Sequence, residues 1–327
     1  MTVDSQATTS VTAPPPSKPP EHREGSSAAM RSSFSSPLAS LIVVIITVLW
    51  TIPTVGLLIT SIRPQKDVAS SGWWTFFTHP SFTLDNYSNV LSGNNSGGGG
   101  LAPFFVNSFI ITIPGALFPL ALACMAAYAL AWVPFRGNTF VFFAIFALQV
   151  VPLQMSLLPL LQIFTGNFSV FGFHVPTPHL AGISWMPYLP VWIAHTMFAL
   201  PLAVFLLHNF IAQLPRDLFE AARVDGASHF LIFRKIVLPL STPAIASFAI
   251  FQFLWVWNDL LVSLTFAGGG TSVEPLTARL SQLTGAFGSK WELLTAGAFI
   301  AIIVPLIVFF SLQRFFVRGL LAGSVKG

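Results

Sequence analysis

Six long stretches of this chain are apolar almost without interruption, and the polar residues gather between them. The stretches lie at about 38–62, 104–132, 139–163, 184–211, 243–266 and 293–316. Each meets the roughly 20 apolar residues that an α-helix needs to cross a hydrocarbon core. The pattern predicts an all-α, polytopic membrane protein with six transmembrane helices. Prolines interrupt several of them: Pro114 and Pro119, Pro152 and Pro159, Pro187, Pro190 and Pro201, then Pro305. Membrane helices tolerate proline where neighbours satisfy the freed carbonyls. The first stretch is too long for a signal-peptide core and has no small-residue cleavage site before Arg63-Pro64, so an uncleaved anchor is expected.

Outside the apolar stretches the chain divides in two. Residues 1–36 are rich in Ser, Thr, Pro and Ala without apolar periodicity, so a disordered N-terminal tail is expected, followed by a membrane domain over 37–327. Six spans put both ends on one side. With that side inside, Lys18, Arg23, Arg31, Arg136, Arg216, Arg223, Arg234, Lys235, Arg314, Arg318 and Lys326 are internal, leaving only Arg63, Lys66, Arg279 and Lys290 outside. The positive-inside rule then makes both termini cytoplasmic. Between the first two spans lie Trp73, Trp74, Phe76 and Phe77, expected at the membrane interface, and the flexible run of Gly93 to Gly100.

One interval departs from the apolar background. Leu214 to Pro239 holds Arg216, Asp217, Glu220, Arg223, Asp225, Arg234 and Lys235, so it belongs to a water-facing loop. Pro215 suits a helix start and Gly226 a left-handed helix end. Ser228 can cap a second helix, which Pro239 is expected to interrupt. The result is an elbow of two short helices. Glu220 can pair with Arg223 or Arg216 on a solvated helix face, a contribution of about 0.2–0.5 kcal/mol.

Composition narrows the chemistry. With 54% hydrophobic and 8% charged residues and a mean hydropathy of +0.75, soluble classes are excluded. The net charge of +4 is explained by residues flanking spans, and no basic patch interleaved with aromatics suggests nucleic acid. The lone Cys124 permits no intramolecular disulfide, and no Cys/His spacing suits a metal. Asp259 falls inside the predicted fifth span, where a carboxylate should face a cavity or a partner. At 100° per residue, Gln252, Asp259 and Ser263 lie within about 20° of one line, with Trp255 about 60° away. That face can line a solute path, or Asp259 can simply pair with a neighbouring helix. Gln149 and Ser156 on the third span would share a face but for Pro152. His195 and His208 on the fourth are too isolated for an enzyme's cluster of catalytic groups. Gly288-Ser289-Lys290 lacks the order of a phosphate-binding loop, so no ATP site is expected in this chain.

Several of these elements resemble one family. Glu220-Ala221-Ala222, with Arg223, Asp225 and Gly226 following and Ile236-x-Leu238-Pro239 beyond, resembles the EAA loop of the membrane subunits of bacterial ABC importers. The segment Phe82 to Leu91, Trp257-Asn258 in the fifth span, and Gln313 to Gly327 are similar to elements of its MalG-like carbohydrate branch. Asp259 stands where many relatives carry an apolar or aromatic residue. The likeness covers about 38–327 and implies a permease subunit of the bacterial cell membrane, whose cytoplasmic coupling helix docks on a separate ATPase. It also implies a second permease, an ATPase dimer that binds ATP and Mg, an external solute-binding protein, and no cofactor or catalysis in this chain. The run Val150 to Leu161 resembles α-glucoside permeases. Gln149, Gln252, Trp255, Asn258, Asp259 and Ser263 are the residues expected along a sugar path. The alternative is an ion-coupled secondary transporter or channel without an ATPase, which calls for an inverted repeat or several intramembrane charges.

Overall fold

A computed structural model describes residues 37–93, 100–180, 183–184, 186–267, 272–286 and 290–324, with only the backbone described for 283–286 and 313–324. The expected tail at 1–36 and the glycine run at 94–99 lie outside the described residues, as do the side chains of Gln313 to Gly327. The chain forms two units, residues 1–55 and 56–327. Among its described residues the first holds most of helix α1 (Pro37–Ser61). The apolar side chains of α1 between Leu38 and Trp50 are exposed, which suits lipid contact.

After α1 come α2 (Gln65–Ser70), a 3₁₀ turn at Trp73–Phe77, and α3 (Asp85–Ser92). The long helix α4 (Ala102–Trp132) precedes α5 (Asn138–Ala147) and α6 (Leu153–Phe164), which are followed by α7 (Leu189–Ile211). The elbow contains α8 (Arg216–Val224) and leads into α9 (His229–Trp257). Three helices complete the order: α10 (Leu261–Phe266), α11 (Leu276–Ala286) and α12 (Trp291–Ser324). Between α6 and α7, strands β1 (Ser169–Val170) and β2 (Phe173–His174) pair antiparallel, Ser169 opposite His174. Their turn uses positive φ at both Phe171 and Gly172, the requirement of a tight hairpin.

Among the described residues five helices are long and apolar enough to cross a membrane, and α5 with α6 makes a sixth if the bent pair is one span. That pair bends by 102°. Val151, forced out of the helical region by Pro152 behind it, sits at φ −71°, ψ 119°. Elsewhere α4 packs along α7, and α9 packs against α4, α7 and α12. Ala123, Ala127, Ala194 and Ala203 are fully buried there, letting backbones approach as in other membrane bundles.

Proline shapes these contacts. A proline inside a helix leaves the carbonyl four residues earlier without its N–H donor. Three such carbonyls are capped from another helix. Trp192 Nε1 donates to the carbonyl of Ile110, four before Pro114, at 2.9 Å. Gln252 Nε2 donates to that of Gly115, four before Pro119, at 3.2 Å. Trp257 Nε1 donates to that of Ala301, four before Pro305, at 3.1 Å. Each freed acceptor thus becomes an interhelical tie, joining α7 to α4, α9 to α4 and α9 to α12. Trp257→Phe keeps a ring against Phe109 and Phe253 but orphans the Ala301 carbonyl. It should lower unfolding stability in detergent by about 1–3 kcal/mol. Trp255→Phe, at an exposed ring, should leave the unfolding midpoint unchanged.

Two sequence expectations are corrected. The fifth spanning helix runs from His229 to Trp257 rather than over 243–266. Pro239 does not interrupt it, because Phe233–Val237 wind as a π-helical turn and the helix continues through Leu238. Such a turn changes the hydrogen-bond spacing just where the proline would otherwise meet the carbonyl before it.

Candidate functional site

The elbow follows from local chemistry. Pro215 is the N-cap of α8, and Asp217 and Arg223 sit in its first and last turns, complementing the helix dipole. At its end Gly226 adopts φ +77°. Its N–H donates to the Arg223 carbonyl at 3.0 Å, and the Ala227 N–H to that of Ala222 at 2.9 Å. These two bonds make a Schellman closure, for which the left-handed glycine is required. Ser228 then caps α9, its hydroxyl accepting from the Leu231 N–H at 3.3 Å.

One face of α8 is buried and the other is free. Phe219 is buried and stacks on Trp132 with centroids 3.7 Å apart and planes 11° from parallel. Trp132, the last residue of α4, donates from Nε1 to the Ile211 carbonyl at the end of α7 at 3.0 Å. Arg223 Nη2 donates to the Trp132 carbonyl at 3.3 Å. Tyr128 shares a hydrogen bond of 2.9 Å with His229 Nδ1. Four helices therefore meet at one node, which ties α8 to α4, α7 and α9. The outward face, at helical spacing, carries Asp217, Glu220, Ala221 and Val224, all exposed. Glu220 forms no ion pair with Arg216 or Arg223.

Sequence reasoning singled out Glu220, Ala221, Ala222, Arg223, Asp225, Gly226 and Pro239, but not Trp132 or Phe219. The available signal was Phe219 itself, an aromatic ring in a helix of charged residues.

Within the bundle a cavity of about 690 Å³ opens between the α5–α6 bend, α7 and α9. Its lining includes Gln149, Ser156, His195, Gln252 and Trp255. The Gln252 side chain is buried and its amide nitrogen is engaged by Gly115. Trp255 leaves 53% of its surface exposed and presents its ring. His195 is 2% exposed, and its Nε2 has no hydrogen-bond partner. At Gly115, α4, α7 and α9 converge: an added Cβ would lie 3.2 Å from Val256 Cγ1 and 3.6 Å from His195 Cβ.

Asp259 does not sit on a spanning helix, so the proposed line of Gln252, Asp259 and Ser263 does not form. The chain breaks between α9 and α10. There the Asp259 carboxylate accepts from the Val262 N–H at 3.3 Å, the Ser263 N–H at 2.9 Å and the Ser263 hydroxyl at 3.1 Å. From the position before the N-cap Leu260, it satisfies first-turn N–H groups of α10. Its Oδ2 lies 3.6 Å from His195 Nε2, so the helix-pairing reading of this acid has a named partner. Asn258 turns back, donating to the Leu254 carbonyl at 2.8 Å. Neither Asn258, Asp259 nor Ser263 lines the cavity. Beyond the break, Asn107 of α4 donates to the carbonyls of Ser272 and Glu274 at 3.0 and 2.9 Å. Tyr188 donates to Asn107 Oδ1 at 2.7 Å.

Residues 120–321 match the family described as "Binding-protein-dependent transport system inner membrane component". The chain belongs to that family. It is an ABC importer permease subunit, a transport component and not itself a catalyst, which sets aside a lone secondary transporter. It is 52% identical to the osmoprotective compounds uptake permease protein GgtD of Synechocystis sp., over 86% of this chain and 89% of that one. It is 53% identical to the alpha-glucoside transport system permease protein AglG of Rhizobium meliloti, over 81% of this chain and 67% of that one. A crystal structure of a bacterial alginate ABC transporter, in complex with a periplasmic protein bound to alginate pentasaccharide, shares the fold at TM-score 0.60 and 14% identity. That match covers 90% of this chain and 98% of the other.

Proposed function

We propose that this chain and a second permease together form the membrane path of an ATP-driven importer of carbohydrate, with α-glucosides as the substrate class. A solute-binding protein delivers the sugar, and a separate ATPase pair holds ATP and Mg and performs the hydrolysis. The elbow lies in the cytoplasm with both termini, as the excess of Lys and Arg on that side indicates. The observation that carries this reading is the free face of α8, where Glu220 and Val224 flank Ala221 while Phe219 behind them is locked to Trp132. Such a helix is thin enough to enter a cleft, and it is stiff enough to move the bundle when the cleft closes. The likeness to AglG supports the α-glucoside class. In the cavity, the exposed Trp255 ring offers a stacking surface for a pyranose.

The test is to purify the complex from native membranes through a tag on this chain and to screen the associated binding protein against α-glucosides, β-glucosides and alginate oligosaccharides. An α-glucoside-loaded binding protein should stimulate ATP hydrolysis by the complex. Purification without an ATPase would overturn the import reading, and selectivity for a different sugar class would overturn the substrate assignment alone.

A further inference from the structure

The Arg63 side chain, two residues beyond the end of α1, is 2% exposed. Its Nη atoms donate to the Gly72 carbonyl at 2.9 Å, the Asp67 carbonyl at 3.2 Å, the Ser71 carbonyl at 3.5 Å, Ser71 Oγ at 2.7 Å and Thr75 Oγ1 at 3.1 Å. All five acceptors are neutral, and no carboxylate among the described residues lies within ion-pair distance. Nε, also buried, has no partner, and neither has the buried hydroxyl of Ser81. A buried guanidinium without an anion is expensive, so its place beside a cleft is informative. That cleft, of about 510 Å³, is lined by Arg63, Asp67, Thr78, His79 and Ser81 among others. It is of the size of small-molecule sites, about 300–1,000 Å³.

Two further features narrow the ligand. The half-buried Asp67 lines the same cleft, and its carboxylate forms no ion pair with Arg63. Neighbouring Trp74 and Phe77 are 63% and 69% exposed, and they follow directly on a membrane span, as aromatic residues of the lipid–water boundary do. We propose that this cleft binds the headgroup of a zwitterionic phospholipid, its phosphate against Arg63 and Ser81 and its ammonium against Asp67. Charge-assisted bonds to a phosphate suit the guanidinium, and the aromatic rings hold the acyl–glycerol boundary beside it.

The probes are phosphatidylethanolamine, phosphatidylglycerol and inorganic phosphate, each added to the delipidated importer complex and read by native mass spectrometry. Phosphatidylethanolamine should be retained roughly tenfold better than phosphatidylglycerol, as one charged hydrogen-bonded contact allows. Asp67→Asn should erase that preference, because only its side chain meets the ammonium while its carbonyl continues to serve Arg63. Ser81→Trp, which fills the cleft and spares the Arg63 staple, should abolish retention of both lipids. Equal retention by wild type and Ser81→Trp overturns the proposal. So does displacement of the lipid by inorganic phosphate, which would make this a free-anion site. Loss of binding-protein affinity in both variants with lipid retention unchanged also overturns it, marking a protein contact. None of these readouts depends on sugar or ATP, so failure here leaves the import reading standing.

Discussion

Glu220→Lys should abolish sugar-stimulated ATP hydrolysis and transport while the chain still inserts and unfolds at the wild-type midpoint. The separation of effects is expected because Glu220 is exposed and forms no ion pair with its own helix. A surface substitution of that kind shifts stability by about 0.5 kcal/mol or less. If α8 docks in an ATPase cleft as proposed, the same change replaces an attraction with a repulsion, and mispaired charge in an interface costs about 2–5 kcal/mol. Coupling should therefore fall by at least roughly thirtyfold. Hydrolysis by the complex with and without loaded binding protein is the measurement, with thermal unfolding alongside it. Glu220→Gln, neutral and of equal length, should fall between. Wild-type transport in Glu220→Lys would remove this carboxylate from the mechanism and leave the apolar part of the face, Ala221 and Val224, to carry docking.

What the sequence showed plainly was whatever depends on neighbours along the chain. Hydropathy located α1, α4, α7 and the apolar part of α12 to within a few residues, since length and apolarity alone decide a span. The bounds of α8 and the start of α9 were equally legible, because Pro215, Gly226 and Ser228 act on the backbone beside them, whereas the second helix runs on past Pro239 instead of ending there. Contacts between distant segments were not. Nothing local tells that Phe219 will stack on Trp132, or that Gln252 will spend its amide on the carbonyl that Pro119 frees. The prolines themselves announced that some carbonyls would need donors, but not which side chains would supply them. The fifth span differs for a related reason: an unbroken apolar run predicts an unbroken helix, but backbone breaks depend on capping that hydropathy does not register. Polar Asn258 and Asp259 end it at Trp257, and the carboxylate expected in mid-helix serves first-turn N–H groups of the next one.

That relocation sets the second large expectation, because it changes what removing Asp259 should do. Asp259→Ala deletes the acceptor for the Val262 and Ser263 N–H groups and the Ser263 hydroxyl, and it leaves His195 facing a void. Loss of an acceptor for first-turn N–H groups costs about 0.5–2 kcal/mol, and orphaned buried donors add to it, so a destabilisation of about 2–4 kcal/mol is expected. Asp259→Asn keeps one acceptor oxygen and should recover about half of this, since one such bond can re-form. The break itself should persist in both, because the Asp259 carbonyl still receives the Thr277 hydroxyl. Unfolding of the purified complex and uptake into vesicles, measured on the same variants, separate the two roles this acid was given. If uptake falls only in proportion to lost stability, Asp259 holds α10 and His195 in place. If uptake vanishes in Asp259→Asn while the protein stays as stable as wild type, the carboxylate must meet the solute. The hinge between α9 and α10 would then have to open toward the cavity during transport.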